Sequence, residues 1–377
     1  MPFALFYFSY FAFQGVFNPF WGLYLQSLSF TPWQISVLVA LSTLARIVAP
    51  GFWGWLADRQ QRRRPIVIAT SLAAAAIFAL VGQLHSFAGV FVTLALALFF
   101  WAASLPLVEA STAWLTRAQP GRYSRVRVWG SIGFVVAATL GGYALEWLSL
   151  ACLPWLALGG LMVVALVAFK LPEVACLSAA DEAASIWLTL RQPKVLALFG
   201  CCFLMAFAHG PYYTFYSIGL KDAGYGKSLI GLLWSCGVVS EILIFLAMPR
   251  IMGKLSLERL MQLSLLAAVL RFGLIAGWVG IPLVAFGAQT LHALTFALHH
   301  AASIGLIHRL FAPQHHGRAQ GLYIIASFGL GGSGGGLLAG LLWPQGGVCA
   351  TFALSALVAL LGVLVSLKWL SPSRESH

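Results

Sequence analysis

Twelve stretches of mostly apolar residues follow one another along this chain, at about 3–27, 33–55, 66–84, 88–116, 121–146, 150–169, 194–218, 228–249, 259–278, 281–307, 319–342 and 347–369. A helix that crosses the hydrocarbon core of a bilayer needs roughly 20 such residues. At that depth only helices and closed barrels satisfy their own backbone hydrogen bonds. A barrel is excluded, because the stretches lack the period-2 alternation of about 10 residues per strand. Composition agrees: 60% of the 377 residues are hydrophobic and 8% are charged, where a soluble domain carries about 25% charge. The expected fold is an all-α membrane protein with twelve transmembrane helices. The stretch that begins at Pro2 is expected to be the first span, since it lacks a basic n-region and is too long for the h-region of a cleavable leader.

The net charge of +12 would suit nucleic acid only if the basic residues formed one face of a folded domain. Instead they sit between apolar runs. The even-numbered connections and the C-terminus hold 18 of the 22 Lys and Arg, from Arg59, Arg62, Arg63 and Arg64 through to Lys368 and Arg374. The odd-numbered connections hold two, Lys221 and Lys227. The positive-inside rule then places both termini in the cytoplasm of a bacterial inner membrane. The six cysteines form no C-x-x-C or Cys/His ligand pattern; Cys201 and Cys202 read as small hydrophobes in an apolar helix. No cofactor and no metal are expected.

The longest connection, about 170–193, is polar, carries Glu173, Asp181 and Glu182, and divides six spans from six. It separates an expected N-terminal six-helix bundle, 1–169, from a C-terminal one, 194–377. Weak internal repetition supports that division. Asn18-Pro19-Phe20-Trp21 in span 1 is echoed 192 residues later by Gly210-Pro211-Tyr212-Tyr213 in span 7. Arg125 and Gly133 in span 5 are echoed by Arg318, at an offset of 193, and by the glycines after Phe328 in span 11.

Ionisable groups at membrane depth cost about 2.5–3.5 kcal/mol or more, so each invites a functional hypothesis. Arg46 in span 2, Glu241 in span 8 and Arg271 in span 9 fall near mid-span; Glu109 in span 4 and Arg127 at span 5 lie nearer the cytoplasmic end. Glu109 with Arg127 and Glu241 with Arg271 could simply neutralise one another. Even so, three arginines against two glutamates leave one guanidinium over, and a guanidinium facing a cavity binds a carboxylate bidentately. His292, near the middle of span 10, and His209, beside Pro211, are either proton relays or satisfied polar side chains. His299, His300, His308, His315 and His316 lie toward the cytoplasmic end without the acidic or thiolate ligands of a metal site. Phe17, Phe20, Trp21 and Tyr24 in span 1, and Tyr212, Tyr213, Phe215 and Tyr216 in span 7, line a cavity or serve as anchors.

The connection between spans 2 and 3 reads Gly54-Trp-Leu-Ala-Asp58-Arg59-Gln-Gln-Arg62-Arg63-Arg64. An acid at a helix end followed by bases can form charged contacts that break when the cytoplasmic side opens. This loop resembles the signature between helices 2 and 3 of the major facilitator superfamily, with Gln61 where that family usually has a second glycine. A wider resemblance, to the phenylpropionate permease-like branch related to lactose and nucleoside proton symporters, runs over nearly the whole chain. It is carried by Asn18-Pro19-Phe20-Trp21, Arg46, Pro106-Leu-Val-Glu109, Tyr123-Ser-Arg125-Val-Arg127-Val-Trp129, Ala208-His209-Gly-Pro-Tyr-Tyr213, Trp234 through Glu241, Arg271, His292-Ala-Leu-Thr-Phe296 and His300.

The resemblance implies a major facilitator fold of two pseudo-symmetric six-helix bundles and transport by alternating access. Glu109 and Arg127 match the substrate-binding acid and arginine of lactose permease at the same separation of 18 residues, which implies that Arg127 faces the cavity. Glu241, Arg271 and His292 match its acid, arginine and histidine on helices 8, 9 and 10. Its helix-10 lysine and proton-carrying glutamate correspond here to Gln289 and Thr295, so Glu241 or Glu109, with His292 assisting, is the implied proton carrier.

Together these features lead to a monomeric, proton-coupled importer of a small organic anion such as 3-phenylpropionate. Arg46, Glu109, Arg127, Arg271, Asn18, Trp21, Tyr212 and Tyr213 are the expected substrate residues. Glu241, Glu109 and His292 are expected to couple protons, and Gly54, Asp58, Arg59 and Arg62 to form a cytoplasmic gate. The same fold would equally serve a sugar, a nucleoside or drug efflux. An intramembrane enzyme would need a nucleophile or metal constellation, and only Ser303 near His299 and His300 offers a neighbour of that kind.

Overall fold

The computed structural model describes residues 2–174 and 186–370. Most of the expected central loop, with Asp181 and Glu182, lies outside the described residues, as does Arg374. The helices are α1 (Pro2–Ser27), α2 (Pro32–Gln60), α3 (Arg64–Phe78), α4 (Phe87–Thr116), α5 (Pro120–Trp147) and α6 (Leu153–Ala168). They continue with α7 (Pro193–Asp222), α8 (Lys227–Met252), α9 (Leu257–Trp278), α10 (Pro282–Leu310), α11 (316–346) and α12 (348–369). Among the described residues ten helical stretches are long and apolar enough to cross a membrane; the last, Pro313–Trp369, holds both α11 and α12. The two meet at Gly347, whose φ of 51° and ψ of −140° break the helix in a region open to glycine alone. Helix starts follow the local chemistry: prolines open α2, α5 and α10, Thr31 and Gln34 close a capping box on α2, and Ser256 caps α9. Gln61, in the left-handed region, ends α2.

Leu140, Leu166, Leu243, Leu246, Leu330 and Leu357 are each more than half exposed, a surface suited to lipid and not to water.

The chain forms two compact units, one gathering α1–α6 with Tyr225–Ser235, the other α7, the rest of α8 and α9–α12. In the first, α1 packs on α5 and α6, α3 on α4 and α6, and α2 on α4. Its interior is a ladder of aromatic rings. Phe13, Phe17, Trp21 and Tyr24 stack in sequence along α1, and Tyr10 lies flat on Trp101 of α4 at 4.7 Å. The second unit repeats the plan six helices later. Gly210 of α7 meets Gly335 and Gly336 of α11, Cys201 of α7 bonds the Gly362 carbonyl of α12, and α9 packs on α10 and α12. The weak sequence repeat therefore corresponds to a repeated set of helix pairings within each unit.

Two glycines make the repeated crossing possible. A Cβ on Gly133 of α5 would collide with the Phe8 carbonyl of α1, and one on Gly335 of α11 with the Phe207 carbonyl of α7. Small residues of this kind let membrane helices approach backbone to backbone. Gly335→Leu and Gly133→Val should each lower stability by about 1–3 kcal/mol or more. A fall in the yield of monodisperse protein and in its melting temperature would register the change. Unchanged melting would mean that these crossings are loose.

Candidate substrate-binding site

Arg271 is fully buried in the second unit, at 0% exposure. It lies on α9, whose apolar residues on either side carry the helix past it without a break. Its Nε donates to the Ala288 carbonyl at 3.0 Å, and its Nη1 lies 3.2 Å from both Thr295 Oγ1 and His209 Nε2. The guanidinium rests over the Tyr212 ring at 4.2 Å, a cation–π contact. Its Nη2 has no hydrogen-bond partner. Among the described residues no carboxylate pairs with Arg271.

The groups around it come from α7 and α10. His209 Nδ1 lies 2.8 Å from the Met205 carbonyl, which can only accept, so Nδ1 carries the proton. Nε2 is then left as a lone pair toward Arg271 and Thr295. His209 is a neutral acceptor here, orienting the guanidinium. Thr295 belongs to a π-helical segment, Leu294–Leu298, a local widening common at functional sites. Tyr212 donates to Gln289 Oε1 at 3.1 Å, while Gln289 Nε2 is buried without a partner. His292 stacks on Tyr212 and Phe296, each at 5.6 Å between centroids. Its Nε2 is 3.9 Å from Glu241 Oε2 of α8. Gly237 of α8 is what admits this close packing, since a Cβ there would stand 2.9 Å from Gln289 Oε1. Buried, unpaired donors are costly, and Arg271 Nη2 and Gln289 Nε2 place two of them in one cluster.

The first unit has its own charged group. Arg127 Nε donates to Glu109 Oε1 at 3.3 Å, both side chains about one-third exposed. The Arg127 guanidinium also lies 4.3 Å from the Phe11 ring centroid and 5.3 Å from that of Tyr7. Gly130, one turn along α5, leaves room for Phe11 and Arg127 together. Arg46 is exposed on α2, its guanidinium 5.6 Å from the Trp101 ring centroid. It too has no carboxylate partner among the described residues. Glu109→Ala should strand Arg127 and cost about 1 kcal/mol for so open a pair. Glu109→Ala/Arg127→Ala should recover part of it, and melting temperatures of the two variants would check this.

The expected site residues thus separate. Arg271, Tyr212 and His292 come together with Glu241 in the second unit, and Glu109 with Arg127 in the first. The possible Glu241–Arg271 pair does not form: Arg271 turns to His209, Thr295 and a carbonyl, and His292 faces the acid. Tyr213 is partly exposed beside His209, with ring centroids 6.3 Å apart. Asn18 is half-buried and donates to Gln14 at 3.4 Å. Trp21 is buried, stacked between Phe17 and Tyr24. Asp58, Arg59 and Arg62 are exposed at the end of α2, and Gly54 is half-buried. His308 and His316 stack at 4.4 Å, and no group of three metal-ligating side chains forms among the described residues. Sequence reasoning passed over Thr295 and Gln289 as active members, treating them only as replacements. It also missed Tyr7 and Phe11 around Arg127, because they lie on α1 and nothing in their sequence spacing marks a contact with α5.

A family model described as the MFS_1 like family matches residues 1–354. The chain belongs to that family. It is a multi-pass membrane transporter of the major facilitator fold. It is 28% identical over 313 residues to a protein of Escherichia coli (strain K12) named "Probable 3-phenylpropionic acid transporter", covering 81% of each chain. It is 26% identical over 381 residues to the maltose permease of Geobacillus stearothermophilus, covering 97% of this chain and 93% of that one. The crystal structure of the nucleoside transporter NupG superposes with a TM-score of 0.86 at 16% identity over 99% of each chain, a likeness of fold.

Proposed function

We propose that this transporter carries a small organic anion, with an aromatic carboxylate such as 3-phenylpropionate as the type substrate, by proton-coupled import. The observation that carries this reading is Arg271: a guanidinium buried without a carboxylate, one nitrogen unpaired, resting on an aromatic ring. A buried cation left uncompensated is strongly destabilising, and a substrate carboxylate would supply both the charge and the missing acceptor. Gln289 Nε2 would offer a second donor, and Tyr212 and His292 a stacking surface. The similarity to a relative named for phenylpropionate supports the same class.

In the proposed cycle, Glu241 takes the proton beside His292, and the resulting loss of negative charge near Arg271 changes the balance that a bound anion answers. Glu109 is the alternative carrier. The two six-helix bundles, 1–169 and 194–377, would then alternate between outward and inward access. We place both termini in the cytoplasm and read the transporter as a monomer in the inner membrane.

A sugar or nucleoside is the second reading, favoured by the Glu109–Arg127 pair, about one-third exposed, which can share hydrogen bonds with hydroxyl groups, and by relatives named for maltose and nucleosides. Competition against labelled 3-phenylpropionate in proteoliposomes separates the two. Benzoate and cinnamate should compete, while maltose and uridine should not. Competition by maltose or uridine alone would transfer the assignment to a neutral substrate, and efflux would appear as export from preloaded vesicles.

A further inference from the structure

The connection from α2 to α3 carries Arg62 and Arg63, Arg64 opens α3, and only part of that charge is used within the fold. Glu173, just after α6, accepts from the backbone N–H groups of Arg63 and Arg64 at 2.8 and 3.3 Å. The start of α3 is thereby capped, and the carboxylate is directed at the backbone. The Arg64 side chain donates through Nη2 to the Phe169 carbonyl at the end of α6, at 2.8 Å, which fixes its guanidinium in place. The Arg62 side chain is exposed and makes no ion pair among the described residues.

Between them opens a cleft of about 570 Å³, lined by Arg62, Arg64 and Glu173 at its mouth and by Pro65, Ile68, Ala69 and Leu72 below. The apolar side does not stop there. Pro65, Ala69, Leu72 and Ala76 are all exposed, and their spacing puts them on one face of α3. Because two of the four are alanines, that face is a shallow track running from the arginines into the depth of the bilayer.

We propose that this cleft is a binding site for a singly charged anionic phospholipid of phosphatidylglycerol type. The phosphodiester sits between the Arg62 and Arg64 guanidinia, and one acyl chain follows the Ala69–Leu72–Ala76 track. Charge complementarity argues for that occupant. The two guanidinia and one capped carboxylate leave a net charge of +1 at the mouth, matched by one phosphodiester, and basic clefts beside membrane helices are a recurrent way of holding such headgroups. A zwitterionic lipid brings an ammonium that the arginines repel, and a free phosphate leaves the apolar track empty.

The test is native mass spectrometry of the full chain released from micelles titrated with phosphatidylglycerol or phosphatidylcholine. Wild type should retain one phosphatidylglycerol in preference to phosphatidylcholine. Arg62→Gln/Arg64→Gln should lower that retention about tenfold or more. Arg250→Gln/Lys254→Gln removes equal charge from the end of α8 and the connection after it and should leave it unchanged. Ala69→Phe keeps every charge but fills the track, and should also lose the lipid, so the proposal stays testable if the arginine variant folds poorly. Equal loss in the Arg250/Lys254 variant would reduce the effect to surface charge and overturn the site. So would full retention in Ala69→Phe, or displacement of the lipid by millimolar inorganic phosphate.

Discussion

Proteoliposomes carrying Arg271→Ala should take up labelled aromatic carboxylate no faster than empty vesicles, while the purified variant remains monodisperse. The guanidinium is buried, so a charge-assisted pair with a substrate carboxylate forms where water does not compete. Loss of one partner of such a pair costs about 3–5 kcal/mol, which is roughly a hundredfold to several thousandfold in affinity. Folding should survive, because the groups left behind have each other. His209 Nε2 and Thr295 Oγ1 are already 3.1 Å apart, and His209 Nδ1 keeps the Met205 carbonyl. Arg271→Lys should bind weakly: an ammonium restores charge but cannot reach the Ala288 carbonyl, Thr295 and a carboxylate with one planar fork. Wild-type affinity in Arg271→Ala, by titration or by competition, would remove the residue from the site.

Glu241→Gln should separate transport from the proton gradient. Glutamine copies the shape of a protonated glutamate and cannot release a proton, so the variant stays in the neutral form whatever the pH. Exchange of internal for external substrate needs no net proton movement and should continue near the wild-type rate. Accumulation against a concentration gradient should fall to the passive level. The half-buried acid faces His292 Nε2 at 3.9 Å, so the imidazole is one neighbour that feels each change of charge. Full gradient-driven accumulation in Glu241→Gln would move the proton to Glu109, and Glu109→Gln would then show the loss.

Much of the fold is legible in the sequence because membrane helices announce themselves by length and apolarity. Among the described residues α1, where Gln14, Asn18 and Pro19 interrupt an aromatic run, is a helix of spanning length that falls outside the ten stretches apolar enough to cross a membrane. The end of α11 is less legible. The apolar pattern suggests a connection at 343–346, whereas the chain stays helical to Gly347 and turns on that single residue. The site divides along similar lines. A separation of 18 residues across a short α4–α5 connection brings Glu109 to Arg127, and the structure has that pair. Arg271 and Glu241 lie on different helices, and their distance depends on rotation about each helix axis. The π-helical turn at Leu294–Leu298 shifts Thr295 and His292 in a way no hydropathy pattern encodes. The α1 aromatics have helical spacing whether they line a cavity or pack a bundle; only the stacking of Phe17, Trp21 and Tyr24 distinguishes these.

Uptake of labelled 3-phenylpropionate into proteoliposomes, with and without an inward proton gradient, tests proton-coupled anion transport most directly. Accumulation above the equilibrium level only when the gradient is present, and abolished by Arg271→Ala, is the expected result. Uptake that ignores the gradient, or saturable uptake of a neutral sugar or nucleoside with none of the acid, would contradict it.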